Sequence, residues 1–238
     1  MIRIRAFRAI DEPQTCNRFL EGHRKVLEEF NLENITTNTP KWIIHPQTYV
    51  VIGELDGDLI GGIRVQLADG DFPLPVEDAV GHFDANIHKL VEKYRKDVGT
   101  GELCGLWNSR RLPPNLGITV LLSIAAVSIC DQLTIKNLFA ICAGYTLAGA
   151  RRLGFEIEKS VGNNGEFTYP NSNFVARVLS MNCITLASSN VQYKGEMLDL
   201  RADRNFKRIL QTSQEPIPIE YDLILKNITS DVLNGTKN

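Results

Sequence analysis

The sequence predicts an α/β (α+β) domain built on one mixed sheet, and three observations point there. Residues 1–7 alternate apolar and basic side chains, the period-2 mark of a strand with one wet face. Two β-rich runs, residues 48–55 and 59–67, are joined by Asp56-Gly57-Asp58, a hairpin signal that makes them antiparallel neighbours. Residues 102–143 read as strand, polar loop, apolar helix and short apolar strand, a crossover that requires parallel pairing and a right-handed connection.

Each remaining element has its own signal. Asp11-Glu12-Pro13 starts a helix, and Cys16, Phe19, Leu20, His23, Val26, Leu27 and Phe30 then share one helical face. Residues 69–81, with their Gly, Asp and Pro content, read as a loop, and residues 84–96 as a second amphipathic helix with Ile87, Leu90, Val91 and Tyr94 inward. The run 118–133 is apolar nearly all round, so its helix is expected to be buried on most sides. Residues 137–143 lack a polar face, as a central, doubly covered strand requires. A further helix ends at Leu153-Gly154-Phe155; beyond it the chain returns to β character at 156–161, 174–179, 184–186 and 217–225, with 162–173 as a loop and the last dozen residues frayed.

The 238 residues, 43% hydrophobic and 23% charged, suit one large or two small globular domains. A net charge of −2 speaks against bulk nucleic-acid binding. Five scattered cysteines without a Cys-x-x-Cys pair suit buried thiols in a reducing compartment better than a disulfide or zinc framework. The N-terminal residues carry no apolar run of the signal-peptide kind, and the stretch 118–130 is too short to span a bilayer. The expectation is a cytoplasmic protein with no membrane span. His82, His88, Asp84 and Glu92 offer no coherent ligand set, so no metal is expected. No dinucleotide fingerprint, phosphate-binding P-loop or nucleophile elbow is present.

Two groups of residues stand out chemically. Arg110, Arg111, Asn115, Leu116, Gly117, Ile118 and Thr119 precede or open the apolar helix at the carboxyl end of a buried strand. Backbone N–H groups there would receive a phosphate, with Gly117 allowing close approach and the helix dipole favouring the charge. The competing reading is a helix-start loop whose arginines are merely solvated. Arg64, on the second hairpin strand, could hold a carboxylate as a bidentate partner, against the commoner case of a surface arginine on an edge strand.

The order of elements over residues 1–186 resembles the GNAT superfamily of N-acyltransferases. Three local motifs are similar to acyl-homoserine lactone synthases and N-acyl amino acid synthases of that fold. These are Arg24 with Phe30 and Trp42, then Gly61-Gly62-Ile63-Arg64-Val65, then Glu102-Leu103-Cys104. Position 105 is Gly where those synthases carry Arg, and Ala150 stands where GNAT enzymes usually place a tyrosine acid. The resemblance implies a mostly antiparallel central sheet with helices on both faces, over residues 1–190, and a C-terminal β extension over 191–238. It implies an acyl-CoA or acyl-phosphopantetheine donor, gripped by the phosphate loop and by a strand backbone at Leu106, Trp107 and Asn108, one of whose amides would stabilise the oxyanion. Glu102 would be the base acting through water, and Arg24, Trp42 and Arg64 would form the acceptor pocket. Leu121, Leu122 and Ile124 would line an acyl tunnel or simply pack the core. Candidate partners are a small-molecule primary amine, an acyl carrier protein drawn to Arg110-Arg111 and Arg151-Arg152, and a second copy of the chain as a homodimer. The function classes left open are an N-acyltransferase, a GNAT-like module that binds an acyl thioester or a protein without turnover, and a nucleotide-binding Rossmann-like protein, against which the missing glycine fingerprint speaks.

Overall fold

The computed structural model describes residues 1–30, 32, 35–109, 116–211, 215–226 and 228. Arg110, Arg111, Asn115 and, apart from Ile228, the chain end expected to fray lie outside the described residues. Strand β1 (Ile2–Arg8) is followed by α1 (Pro13–Glu28), then β2 (Thr48–Leu55) and β3 (Asp58–Leu67). Asp56 and Gly57 both take positive φ, 49° and 90°, the backbone that a two-residue hairpin turn needs. Next come α2 (Pro75–Val80), α3 (Asn86–Asp97), β4 (Thr100–Asn108), α4 (Ile118–Ser128), β5 (Asn137–Ala143) and α5 (Leu147–Leu153). The chain then adds β6 (Glu156–Ile157), β7 (Glu166–Thr168), β8 (Val175–Asn182), α6 (Val191–Ala202), β9 (Lys207–Leu210) and β10 (Ile217–Asp222).

The strands form one sheet in the order β6-β8-β5-β4-β3-β2-β1-β10-β9, with β7 also on β8. Only β4–β5 and β1–β10 are parallel; the other pairs are antiparallel. Alternate strand residues meet different helices. Ile63, Val65 and Leu103 join α4 and, through Met197 and Leu200, α6 in the larger core. On the opposite face, α1 packs Phe19 and Leu20 with Val50, Ile52 and Trp107, while α2 and α3 cover Phe139 and Val178. Helix α4 is buried because it lies over the sheet centre with α6 on its far side.

Four local readings change. Residues 162–173, expected as a loop, carry the short strand β7 paired with β8. Residues 184–186 form a turn instead of a strand, because Asn182 Oδ1 accepts the N–H of Ile184 at 3.0 Å and of Thr185 at 2.9 Å, and Leu186 takes φ 52°. The C-terminal segment is not purely β: it starts with α6, capped by Asn190, whose side chain accepts the Gln192 N–H at 2.9 Å. The loop 69–81 contains α2, started by Pro75 and closed by the Glu77 carboxylate on the Leu74 N–H at 2.8 Å.

Candidate functional site

Strands β4 and β5 are paired only at their beginnings, through Thr100–Asn137, Gly101–Leu138 and Glu102–Phe139. Beyond Glu102, β4 continues along β3 as far as the Gly61–Asn108 pair, while β5 follows β8 as far as Ala143–Ala176. The sheet therefore parts down its middle. A bulge lies at the point of divergence, where β4 carries an extra residue between its Cys104–Arg64 and Trp107–Gly62 pairs. Gly105 sits inside it with φ 64°, and a Cβ there would come within 3.0 Å of Arg64 Nη1. Glycine at 105, where the resembling synthases carry arginine, suits this left-handed backbone and the close approach of Arg64.

A cavity of about 440 Å³ occupies the gap. Its two strand walls are residues 103–106 of β4 and 140–143 of β5. On one side it is closed by Thr119, Val120 and Ser123 of α4 and by Ala150 and Leu153 of α5, with Tyr145 and Tyr193 nearby. On the other side stand His23 and Leu27 of α1, Ile35–Thr37 of the following segment, and Tyr169. That segment is held in place from a distance: the Tyr169 hydroxyl accepts the Thr36 N–H at 2.9 Å, and Thr36 Oγ1 donates to the Pro75 carbonyl at 3.0 Å.

Behind the α1 wall lies a buried polar cluster on one face of the sheet. Arg64 is 1% exposed, on an interior strand, which rules out the surface-arginine reading. Its Nη1 donates to the Thr37 carbonyl at 3.2 Å, and its guanidinium carbon lies 4.8 Å from the Trp42 ring centre. The arginine Nε has no partner among the described residues. Glu102 is 0% exposed; its Oε2 accepts the Val76 N–H at the start of α2, at 2.6 Å, and its Oε1 is unpaired. In register Glu102 faces Gln66 while Arg64 faces Cys104, so the two charged groups are diagonal neighbours and no ion pair joins them among the described residues. Burial therefore dominates: it pushes the Glu102 carboxyl up to about 8, against the opposing pull of the Val76 N–H and the Arg64 charge. Burial likewise raises the Cys104 thiol to about 12.

The expected site residues divide into three groups. Arg64, Trp42 and Glu102 are brought to one face, yet all three sit behind the cavity wall. Leu106, 42% exposed, and Thr119 are on the wall itself. Trp107 packs edge-on to Phe19 at 5.8 Å, and Asn108 ends the β3–β4 ladder. Leu116 and Ile118 point their side chains into the core beneath α4. Gly117 caps α4 with φ 63°, a conformation favouring glycine, and its carbonyl accepts the Val120 and Leu121 N–H groups. Arg24 is exposed on α1, its Nε on Asn38 Oδ1 at 3.3 Å, and does not reach the wall. Leu121, Leu122 and Ile124 are core residues off the cavity wall.

Sequence reasoning missed His23, Thr37 and Cys104 as wall residues. His23 was concealed within the apolar stripe of α1, and Thr37 lies in a segment without periodicity. Among the described residues no group of His, Cys, Asp and Glu could hold a metal ion, and no helix is long and apolar enough to cross a membrane.

No protein-family model matches the chain, and no curated protein matches it in sequence. Solved structures do match in shape. The chain is similar to FeeM, an N-acyl amino acid synthase from uncultured soil microbes, with a TM-score of 0.59 and 15% identity, over 80% of this chain and 99% of that one. It is also similar to BjaI, a CoA-dependent acyl-homoserine lactone synthase solved with SAM and isopentyl-CoA, with a TM-score of 0.52 and 13% identity, over 85% and 90% of the two chains. A third match is an acyl-CoA N-acyltransferase from Pseudomonas aeruginosa, with a TM-score of 0.52 and 12% identity, over 75% and 98%. The chain shares the fold of these three structures.

Proposed function

We propose that this protein is an N-acyltransferase that moves an acyl group from a pantetheine thioester, acyl-CoA or acyl carrier protein, to a primary amine of a small molecule such as an amino acid. The observation that carries this reading is the parting of β4 from β5, which leaves the β5-facing backbone of residues 103–108 without a strand partner and puts a cavity beside it. A pantetheine arm is an extended chain with two amides, so it can replace the missing strand. Its phosphate end would lie at the start of α4, where Gly117, Ile118 and Thr119 present first-turn N–H groups.

In the reaction the amine nitrogen attacks the thioester carbonyl carbon, the C–N bond forms, and the oxyanion takes a hydrogen bond from a β4 amide around Leu106. Collapse then breaks the C–S bond. The proton lost by nitrogen goes through water to the ionised fraction of Glu102, a minority at pH 7 that grows as pH climbs toward about 8, and the leaving thiolate takes a proton on the α5 side. There Ala150 offers no donor; the hydroxyls of Ser123 and Thr146 donate to the Thr119 and Ala143 carbonyls, and those of Tyr145 and Tyr193 also line the cavity. Arg64 would receive the acceptor's carboxylate, with Trp42 stacked behind it. Leu27, Ile35, Ile63 and Leu103 give the cavity an apolar wall suited to a medium or long acyl chain.

A second reading, a GNAT-like module that binds an acyl thioester without turnover, is favoured by Ala150 in place of a tyrosine. Thiol release from acetyl-, decanoyl- and palmitoyl-CoA, with and without amino acids, separates the two. Amino-acid-dependent release that is fastest with decanoyl- or palmitoyl-CoA is the expected result; binding without release sinks the enzyme and leaves the module.

A further inference from the structure

Five polar side chains break the apolar lining of the cavity on the α1 side: Thr36 and Tyr169, which are hydrogen-bonded, and His23, Thr37 and Cys104. His23 is 3% exposed and Thr37 is 7% exposed. His23 Nδ1 and Thr37 Oγ1 are both buried with no hydrogen-bond partner among the described residues. Leaving such atoms unpaired costs on the order of 1–3 kcal/mol each, so an apolar cavity wall gains nothing from them unless a ligand completes the pairing. We propose that His23 receives the acceptor's amino group, taking a hydrogen bond from the amine N–H as a neutral imidazole and so orienting the nitrogen lone pair toward the thioester. This inference rests on the acyl-transfer reading, and it adds a residue that the resemblance to known acyltransferases does not supply.

The surroundings set the protonation state. On this face of the sheet stand Arg64 of β3 and Glu102 and Cys104 of β4, with Glu54 of β2 and Arg3 and Arg5 of β1 on the strands beyond; Tyr169 lines the same cavity. Phe19, on α1 itself, stands 6.3 Å from the imidazole. Burial and, after it, the Arg64 charge hold the imidazole down to about 3. It is therefore neutral throughout the working range, with one N–H and one lone pair. The same Arg64 charge opposes an ammonium ion, so the recess admits the amine as the free base, the form that can attack. His23 thus positions the nucleophile by direct contact and does not carry its proton away.

The test compares His23→Gln and His23→Leu with the wild type, using decanoyl-CoA and mixed L-amino acids. The Leu variant is expected to lose about 10–100-fold in kcat/KM for the acceptor, with KM for decanoyl-CoA unchanged. Gln, which still accepts a hydrogen bond but does not titrate, is expected to recover most of that loss and to keep the wild-type pH profile. Leu activity within about twofold of wild type overturns the inference, as does a Gln variant as impaired as Leu. A wild type without turnover defeats the acyltransferase reading instead. His23 is then judged by the imidazole 15N signals of the chain, which has 4 histidines, on adding benzylamine as free base. A shift confined to the signal that His23→Gln removes supports amine contact, and no shift refutes it.

Discussion

Replacing Arg64 by methionine is expected to lower kcat/KM for a carboxylate-bearing acceptor about 100-fold while the protein still folds. A charge-assisted, bidentate contact with a carboxylate contributes roughly 1.5–3 kcal/mol, and the methionine stem offers nothing in its place. Stability is another matter. The guanidinium is desolvated, donates to the Thr37 carbonyl at 3.2 Å, and has no carboxylate in contact among the described residues. Removing a buried cation lifts its desolvation cost, which offsets the lost bond and the contact with Trp42. The two terms are of similar size, so the melting temperature should move by no more than about 5 °C. Kinetics with amino acids set against the corresponding amino alcohols check the claim. The alcohols should be poor substrates for the wild type and no worse for the variant. Equal losses for both acceptors would show that Arg64 supports the wall without reading a carboxylate.

Changing Glu102 to glutamine should stabilise the protein at alkaline pH and abolish most of its turnover. Burial raises the carboxyl from 4.5 to about 8, so between those values the folded chain keeps a proton that the unfolded chain has released. The native state binds more protons there, and stability must fall as pH climbs through that window. Glutamine imitates the protonated acid and can still accept the Val76 N–H, so it escapes the loss. At about pH 5 variant and wild type should melt close together; near pH 8.5 the variant should lead by roughly 2–4 kcal/mol. Thermal melts at the two pH values decide it. A pH-independent gap would mean that Glu102 does not titrate in this range.

Much of this architecture was readable in the chain. The Asp56-Gly57 hairpin, the apolar helix after residue 117 and the faceless strand at 137–143 each carry a strong local signal, and together they fix the parallel β4–β5 pair. Helix α6 escaped because it buries only Met197 and Leu200, too few positions to imprint a period. The site was legible in residue type more than in placement. Arg64 and Glu102 stand out as chemistry-bearing residues, but that one faces Cys104 and the other Gln66, behind the wall, is set by the β3–β4 register, and the parting beyond it by the Gly105 bulge. That bulge depends on a φ of 64°, and glycine alone in a sequence does not announce it. His23 was invisible for a different reason: at helical spacing it counts as one more inward position of α1.

The account as a whole is tested most directly by a crystal structure with decanoyl-CoA. The expected electron density runs from the start of α4 along the free edge of β4 past Leu106, with the thioester near the Gly105 bulge and the acyl tail between β4 and β5. A ligand bound elsewhere, with β4 and β5 drawn together and the cavity closed, would contradict it.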